Sequence, residues 1–305
     1  MTGQGPQPVL IAGTGALACL FAARLAAACV PVTMLGTWPQ GLEALRLGGV
    51  RLVDGLGQET AYPVRATADP SNCRGIGLAL VLVKAWQTGR VASQMAVCLP
   101  ASGLALTLQN GWGNRQILEE ALGPQRVALG VTTAGATLLG PGRVRAGGEG
   151  PVTLGEHPRL APLAGLLRAA GCEVRLAADV DSLLWGKLVV NAAINPLTAL
   201  LRVPNGQLLD RPAARQLMDL AAQEAAAVGQ AKGFHLAFPD PVAAAEDVAR
   251  RTAANRSSML QDILRGAPTE IDAICGAVVR AGREVGVPTP VNRTLWLLVR
   301  AADDS

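Results

Sequence analysis

Lys187, Asn191 and Asn195 stand at four-residue intervals in the apolar run LLWGKLVVNAAINPLTALL. Residues at i, i+4 and i+8 share one face of a helix, each step turning about 40° past a full turn. A lysine and two amides then form a polar stripe on an otherwise buried helix. Buried polar groups cost free energy unless they are paired, so such a stripe usually faces a partner or a ligand. A cationic lysine can stabilise charge on a reacting oxygen and give it a proton. A plainer alternative is a lysine whose stem packs while its head reaches water. Asn195 precedes Pro196, where the helix is expected to kink or end, and its amide can instead serve backbone groups released there.

A second polar cluster is NRSSMLQDILRGAPTEID, residues 255 to 272. Asn255 and Ser258 are predicted on one face of a helix, facing either a ligand or solvent. Glu270 follows Pro268-Thr269 at a predicted helix start. Acids favour the first helical turn, and Thr269 with Asp272 fits a capping box. Asn205 lies in Pro204-Asn205-Gly206, where a turn asparagine needs no further role.

Near the N-terminus, Gly13-x-Gly15-x-x-Ala18 follows a predicted strand and opens a predicted helix. Gly13 permits the tight turn, Gly15 lets the backbone approach a pyrophosphate, and Ala18 allows close helix–strand packing. Gly13, Thr14, Gly15 and Ala16 are therefore the expected phosphate contacts, aided by the helix N-terminus. At the end of the second strand, Met34-Leu35-Gly36-Thr37-Trp38 offers neither the acid that selects NAD nor the base that selects NADP. Thr37 can hydrogen-bond either group. Lys84, ending the third strand, is either a contact for the adenosine end or a solvated lysine.

These groups need elements to position them. Strands are predicted at Val9 to Ala12, 30 to 36, 78 to 84 and 103 to 111, alternating with helical stretches. That pattern implies a parallel sheet with crossover helices. Gly130 to Gly155 reads as an antiparallel excursion around Gly140-Pro141-Gly142. From Asp181 to Ala301 helical patterns dominate. The expected fold class is α/β: a Rossmann-type dinucleotide-binding domain over residues 1–179 and an all-helical substrate and dimerisation domain over 180–305.

Composition narrows the function. Half of the 305 residues are hydrophobic but only 3% are aromatic, so Leu, Val and Ala must fill the core, as suits helices and α/β layers. The net charge of +4 is scattered, with no basic run, which argues against nucleic acid. The stretch MTGQGPQP lacks the marks of a secretory signal, and Lys187, Asn191, Asn195 and Pro196 interrupt the longest apolar run, arguing against a membrane span. The six cysteines form no CxxC pair, and with two histidines in the chain no metal site is expected. They read as buried apolar residues of a cytoplasmic protein.

Together GTGALA, VKAWQT (83 to 88), QNG (109 to 111), KLVVNAAINPLTAL (187 to 200) and NRSSMLQDILRGAPTEIDAICG (255 to 276) resemble the ketopantoate reductase (2-dehydropantoate 2-reductase) family over nearly the whole chain. The resemblance implies an NADPH-dependent reduction of ketopantoate to pantoate, in pantothenate and coenzyme A biosynthesis, in a cleft between a Rossmann domain and a helical one. It implies catalytic roles for Lys187 and Glu270. Asn191, Asn195, Asn205, Asn255 and Ser258 match substrate-binding positions. Gly13, Gly15, Lys84 and Asn110 match cofactor contacts. Thr37 stands where the family usually has an arginine that helps hold the 2′-phosphate of NADP, which leaves NAD(H) open beside NADP(H). The expected partner is a small 2-oxo acid, with a homodimer as a candidate assembly. The alternatives are a reductase of another 2-oxo acid and a non-catalytic nucleotide-binding regulator. The intact set of Lys187, Asn191, Asn195, Ser258 and Glu270 argues against the regulator.

Overall fold

The computed structural model describes residues 6–303. Part of the N-terminal stretch read for a secretory signal, residues 1–5, lies outside the described residues. Chain contacts divide the molecule into two compact units. The first holds the described residues up to Gln109 together with Asn114–Val180. The second holds Asn110–Gly113 and the described residues from Asp181 onward.

Among the described residues twelve strands form, all in the first unit: β1 Val9–Ala12, β2 Val32–Leu35, β3 Val50–Val53, β4 Glu59–Tyr62, β5 Arg65–Thr67, β6 Leu78–Val81, β7 Leu104–Thr107, β8 Val127–Thr132, β9 Gly135–Gly140, β10 Arg143–Gly148, β11 Val152–Gly155 and β12 Val174–Ala177. Eight form one sheet in the order β12-β11-β8-β7-β6-β1-β2-β5. From β8 through β5 every pairing is parallel, while β11 runs antiparallel to β8. β1, β2, β6 and β7 are buried at every residue, as strands covered on both faces must be. The chain moves outward from β1 to β2, then returns to the other side of β1 with β6. That reversal is the topological switch point, where α/β sheets bind ligands beyond the strand C-termini.

The excursion expected over residues 130 to 155 comprises the β9–β10 hairpin and the antiparallel β8–β11 pair. β10 also pairs with β3, building a second sheet in the order β4-β3-β10-β9. Sequence reading missed β3, β4, β5 and β12. These are strands of three or four residues with exposed or half-buried positions, and so give little periodic signal.

In the second unit the described residues form helices Val180–Leu201, Pro212–Ala231, Pro241–Arg251, Ser258–Leu264, Cys275–Val285 and Pro290–Asp303, with short 3-10 turns between them. Trp185 lies at its centre, fully buried, donating Nε1–H to the Ala225 carbonyl at 2.9 Å. Gly229 makes room for it: a Cβ there would come within 2.4 Å of the indole. Trp112 and Phe234 pack on Trp185 with ring centroids 5.1 Å apart, which ties Asn110–Gly113 into the helical core.

Helix Val180–Leu201 bears on two expectations. It is long and apolar enough to cross a membrane by length and composition, despite its polar residues. With 72% of its most apolar window buried inside the protein, it reads as a core helix. It also continues through Pro196 instead of ending there. Proline removes the N–H that would bond the carbonyl of Ala192. The Cys275 thiol lies 3.7 Å from that oxygen and serves as its donor. The cysteines need correction too. Five are buried, but Cys29 is exposed. It takes a left-handed conformation (φ 59°) where helix Ala16–Ala27 ends, with Val30 N–H returning to the Leu25 carbonyl.

Candidate active site

In the first unit the glycine turn sits at the switch point. Gly13 N–H donates to the Leu35 carbonyl at 2.8 Å, and Leu82 N–H to the Ala12 carbonyl at 2.9 Å. Gly13 has φ +131°, and a Cβ there would come within 3.0 Å of the Leu82 carbonyl oxygen, so both conformation and space demand glycine. A Cβ on Gly15 would meet nothing within 4 Å. Gly15 caps helix Ala16–Ala27 with no side-chain bond, and the first turn carries no acid. Open space, a helix N-terminus without a side-chain cap and no negative charge fit a pyrophosphate. Thr14 is buried with its methyl toward Gly36, Thr37 is exposed, and Lys84 is half-buried as the residue preceding the turn Ala85–Gln87.

Behind this surface lies a buried polar network that sequence reasoning missed. Gln109 Nε2 donates to the Val83 carbonyl at 3.0 Å and to Thr88 Oγ1 at 2.8 Å. Its Oε1 accepts from Thr107 Oγ1 at 3.0 Å, and Thr88 Oγ1 donates to Asn114 Oδ1 at 2.9 Å. The network joins the end of β6 to the end of β7, fixing the chain beside Lys84 and Asn110. The available signal was a glutamine ending the apolar run LALTLQ.

In the second unit, helix Val180–Leu201 carries the predicted stripe: Lys187 and Asn191 half-buried, Asn195 buried. Burial pushes the Lys187 ammonium down from 10.5 to about 8, while the Glu270 carboxylate pulls it back up. Glu270 is buried. It precedes a 3-10 turn, Ile271–Ala273, and its side chain makes no capping bond. The expected capping box is absent. Thr269 Oγ1 accepts from Ile271 N–H at 3.3 Å, and Asp272 Oδ1 accepts from Trp296 Nε1 at 2.6 Å.

Asn110 and Glu270 lie on neighbouring stretches of the same unit. Trp112 N–H donates to the Ala273 carbonyl at 2.8 Å. Gly111 has φ +83°, and a Cβ there would come within 2.6 Å of the same oxygen. Only glycine lets the QNG segment lie this close to the Glu270 turn.

Asn255 and Ser258 do not share a helix face as expected. The helix begins at Ser258, capped by Ser257, whose Oγ accepts from Leu260 N–H at 3.0 Å. Asn255 is exposed in the preceding loop. Its carbonyl accepts from Asn205 N–H at 3.0 Å, and Asn205 Nδ2 donates to Thr252 Oγ1 at 2.8 Å. Asn205 thus braces the loop leading to Ser258, with its own Oδ1 buried and unbonded. The hydroxyls of Thr198 and Ser257 share a hydrogen bond of 2.7 Å, joining this loop to the stripe-bearing helix one turn beyond Asn195.

A doubly wound sheet with a glycine turn at its switch point, followed by a helical unit carrying a lysine beside a carboxylate, is the construction of a nicotinamide-dependent oxidoreductase. Residues 9–159 match the family model "Ketopantoate reductase PanE/ApbA", and 179–303 match its C-terminal counterpart. The chain belongs to the ketopantoate reductase family. It is 36% identical to a 2-dehydropantoate 2-reductase of Halobacterium salinarum, over 96% of this chain and 98% of that one. It is 38% identical to the enzyme of that name from Archaeoglobus fulgidus, over 97% and 98%. Among solved structures, a PanE/ApbA family ketopantoate reductase from Ralstonia eutropha superposes with a TM-score of 0.90 at 36% identity, covering 98% of this chain and 99% of that one. A D-mandelate dehydrogenase solved with NADH and anilino(oxo)acetate superposes at 0.89 with 26% identity, covering 98% and 99%.

Proposed function

We propose that this chain reduces 2-dehydropantoate to pantoate with NADPH, in the cytoplasm, as a step toward pantothenate and coenzyme A. The observation that carries the reading is Lys187: an ammonium drawn down to about 8, opposed by Glu270, on a helix face that also bears Asn191 and Asn195. A group with that proton affinity is mostly protonated at neutral pH yet gives its proton up readily, as a general acid requires.

Gly13, Thr14, Gly15 and Ala16 receive the cofactor's pyrophosphate on backbone donors. Lys84, Asn110 and Thr37 contact the rest of it. When bound, the reduced nicotinamide supplies a hydride to the C2 carbonyl carbon of the substrate. Lys187 hydrogen-bonds the carbonyl oxygen, stabilises the negative charge that develops there and donates the proton that completes the alcohol. Glu270 orients the ammonium and keeps it charged. Asn191 and Asn195 hold the substrate along the same helix face. Asn255, on the loop braced by Asn205, and Ser258, at the start of the helix that follows it, orient its carboxylate and hydroxyl ends.

The missing arginine at position 37 leaves NADP(H) preferred by family resemblance but with a weakened hold on the 2′-phosphate, so NADH is expected to serve as well. A second reading, reduction of a different 2-oxo acid, is favoured by the likeness to D-mandelate dehydrogenase. Oxidation of NADPH and of NADH, each followed with 2-dehydropantoate and with a panel of other 2-oxo acids, separates the two.

A further inference from the structure

The turn bearing Glu270 is held by the last helix of the chain. Thr269 donates both its backbone N–H, at 3.2 Å, and its hydroxyl, at 2.7 Å, to one oxygen of Asp303, Oδ2. On the other side of Glu270, Trp296 from the same helix donates to Asp272 Oδ1, and Arg300 stacks over Trp296 with its guanidinium 4.0 Å from that oxygen. Arg280, from helix Cys275–Val285, donates to the Asp272 carbonyl at 2.8 Å. The charged groups around the turn are therefore Asp303 and Arg300 on the last helix, Arg280 on the helix before it, and Asp272 within the turn. Lys187 acts on Glu270 from helix Val180–Leu201.

Two of these contacts differ in kind. Asp272 and Trp296 meet near the surface, whereas Asp303 reaches a buried threonine next to the buried Glu270. Asp303 also keeps Oδ1 buried without a hydrogen-bond partner, a cost that a solvated carboxylate at a helix end would not carry. Two bonds to one oxygen fix both the main chain and the side chain of Thr269. A residue adjacent to Glu270 is thus pinned at both its main chain and its side chain by the last helix.

We propose that Asp303 is a positioning residue for the reaction, holding Glu270 against Lys187 through its two bonds to Thr269. This rests on the reading of Lys187 and Glu270 as the catalytic pair. Misplacing a charged group by an ångström or less is enough to lower turnover, so the effect should appear in kcat before it appears in binding.

The test is kcat against pH, with NADPH and 2-dehydropantoate, for wild type, Glu270→Gln, Asp303→Ala and Asp303→Asn, with thermal melting of each. Glu270→Gln should move the alkaline limb to lower pH, because the carboxylate that raises the Lys187 pKa is gone. Asp303→Ala should move it the same way by a smaller amount and lower kcat about tenfold, with the KM for NADPH nearly unchanged. Asp303→Asn keeps an acceptor for Thr269 and should stay within about twofold of wild type in kcat, with its limb in place. An Asp303→Ala limb that overlays wild type while melting falls would make Asp303 merely structural and overturn the proposal. Asp303→Asn behaving like Asp303→Ala would also overturn it, since charge rather than geometry would then be acting. If Glu270→Gln itself leaves the limb unmoved, the reading of the pair fails and the role of Asp303 fails with it. That outcome is distinct from one in which only the Asp303 variants are silent.

Discussion

Glu270 and burial pull the Lys187 ammonium in opposite directions, and burial prevails, leaving it at about 8. A general acid must be protonated to work. The account therefore expects kcat for reduction to be flat near neutrality and to fall above about pH 8. Lys187→Ala should lower kcat by roughly two to four orders of magnitude and remove the limb, with the Kd for NADPH little changed. Near-normal turnover in this variant would return Lys187 to a packing role.

The same residue should cost stability. Its folded pKa lies below the unfolded value of 10.5, so the folded state binds protons less readily. The penalty is fully present below about pH 8 and is relieved as pH rises from there to 10.5. A shift of that size corresponds to about 3 kcal/mol. Because Lys187→Met also strips Glu270 of its counter-charge, the pH dependence is the readout: wild type should gain stability relative to Lys187→Met as pH rises from about 8 to 10.5. A difference in stability between the two that stays constant over that range would show that the ammonium is not carrying a burial penalty.

Thr37 is exposed beyond β2, where a basic residue would reach a 2′-phosphate. A charge-assisted hydrogen bond contributes ~1.5–3 kcal/mol, so Thr37→Arg should tighten NADPH selectively, by roughly tenfold or more, and leave NADH unchanged. A wild type that already rejects NADH strongly, with no response to Thr37→Arg, would place phosphate recognition elsewhere.

Gln109 is the hub of the buried network behind Lys84 and Asn110. Gln109→Leu keeps volume but removes the donor to the Val83 carbonyl and the acceptor for the Thr107 hydroxyl, while Thr88 keeps only its bond to Asn114. The expected result is a loss of about 2–4 kcal/mol in stability and a raised KM for NADPH. Urea unfolding and steady-state kinetics on the same preparation check both. An unchanged KM would confine the network to a structural role.

The parts of this molecule legible in its sequence are those where one physical demand acts alone. The glycine turn was readable because Gly13 answers a local need for positive φ beside a neighbouring carbonyl. The Lys187 stripe was readable because helical spacing is a short-range rule. Asn255 and Ser258 were misplaced because Ser257 and Ser258 are equally good helix openers, and the cap fell one residue after the loop rather than before Asn255. The helix through Pro196 was unreadable because the donor for the Ala192 carbonyl comes from Cys275, far along the chain. The grip of Asp303 on Thr269 and the network of Gln109 likewise join residues distant in sequence, and no periodicity announces such pairs. The parallel core strands showed as solid apolar runs, while the short strands β3, β4 and β5, with few fully buried positions, did not.

The most direct test of the central claim is kcat/KM with NADPH for 2-dehydropantoate against 2-oxo-3-methylbutanoate, which keeps the ketone and carboxylate but lacks the hydroxymethyl group. A site that hydrogen-bonds a substrate hydroxyl leaves its own polar groups unpaired when the hydroxyl is missing, and this can discriminate by ~10⁴-fold. The account predicts a large preference for 2-dehydropantoate. Equal efficiency on the two, or a preference for an aromatic 2-oxo acid, would contradict it and favour the broader 2-oxo acid reductase.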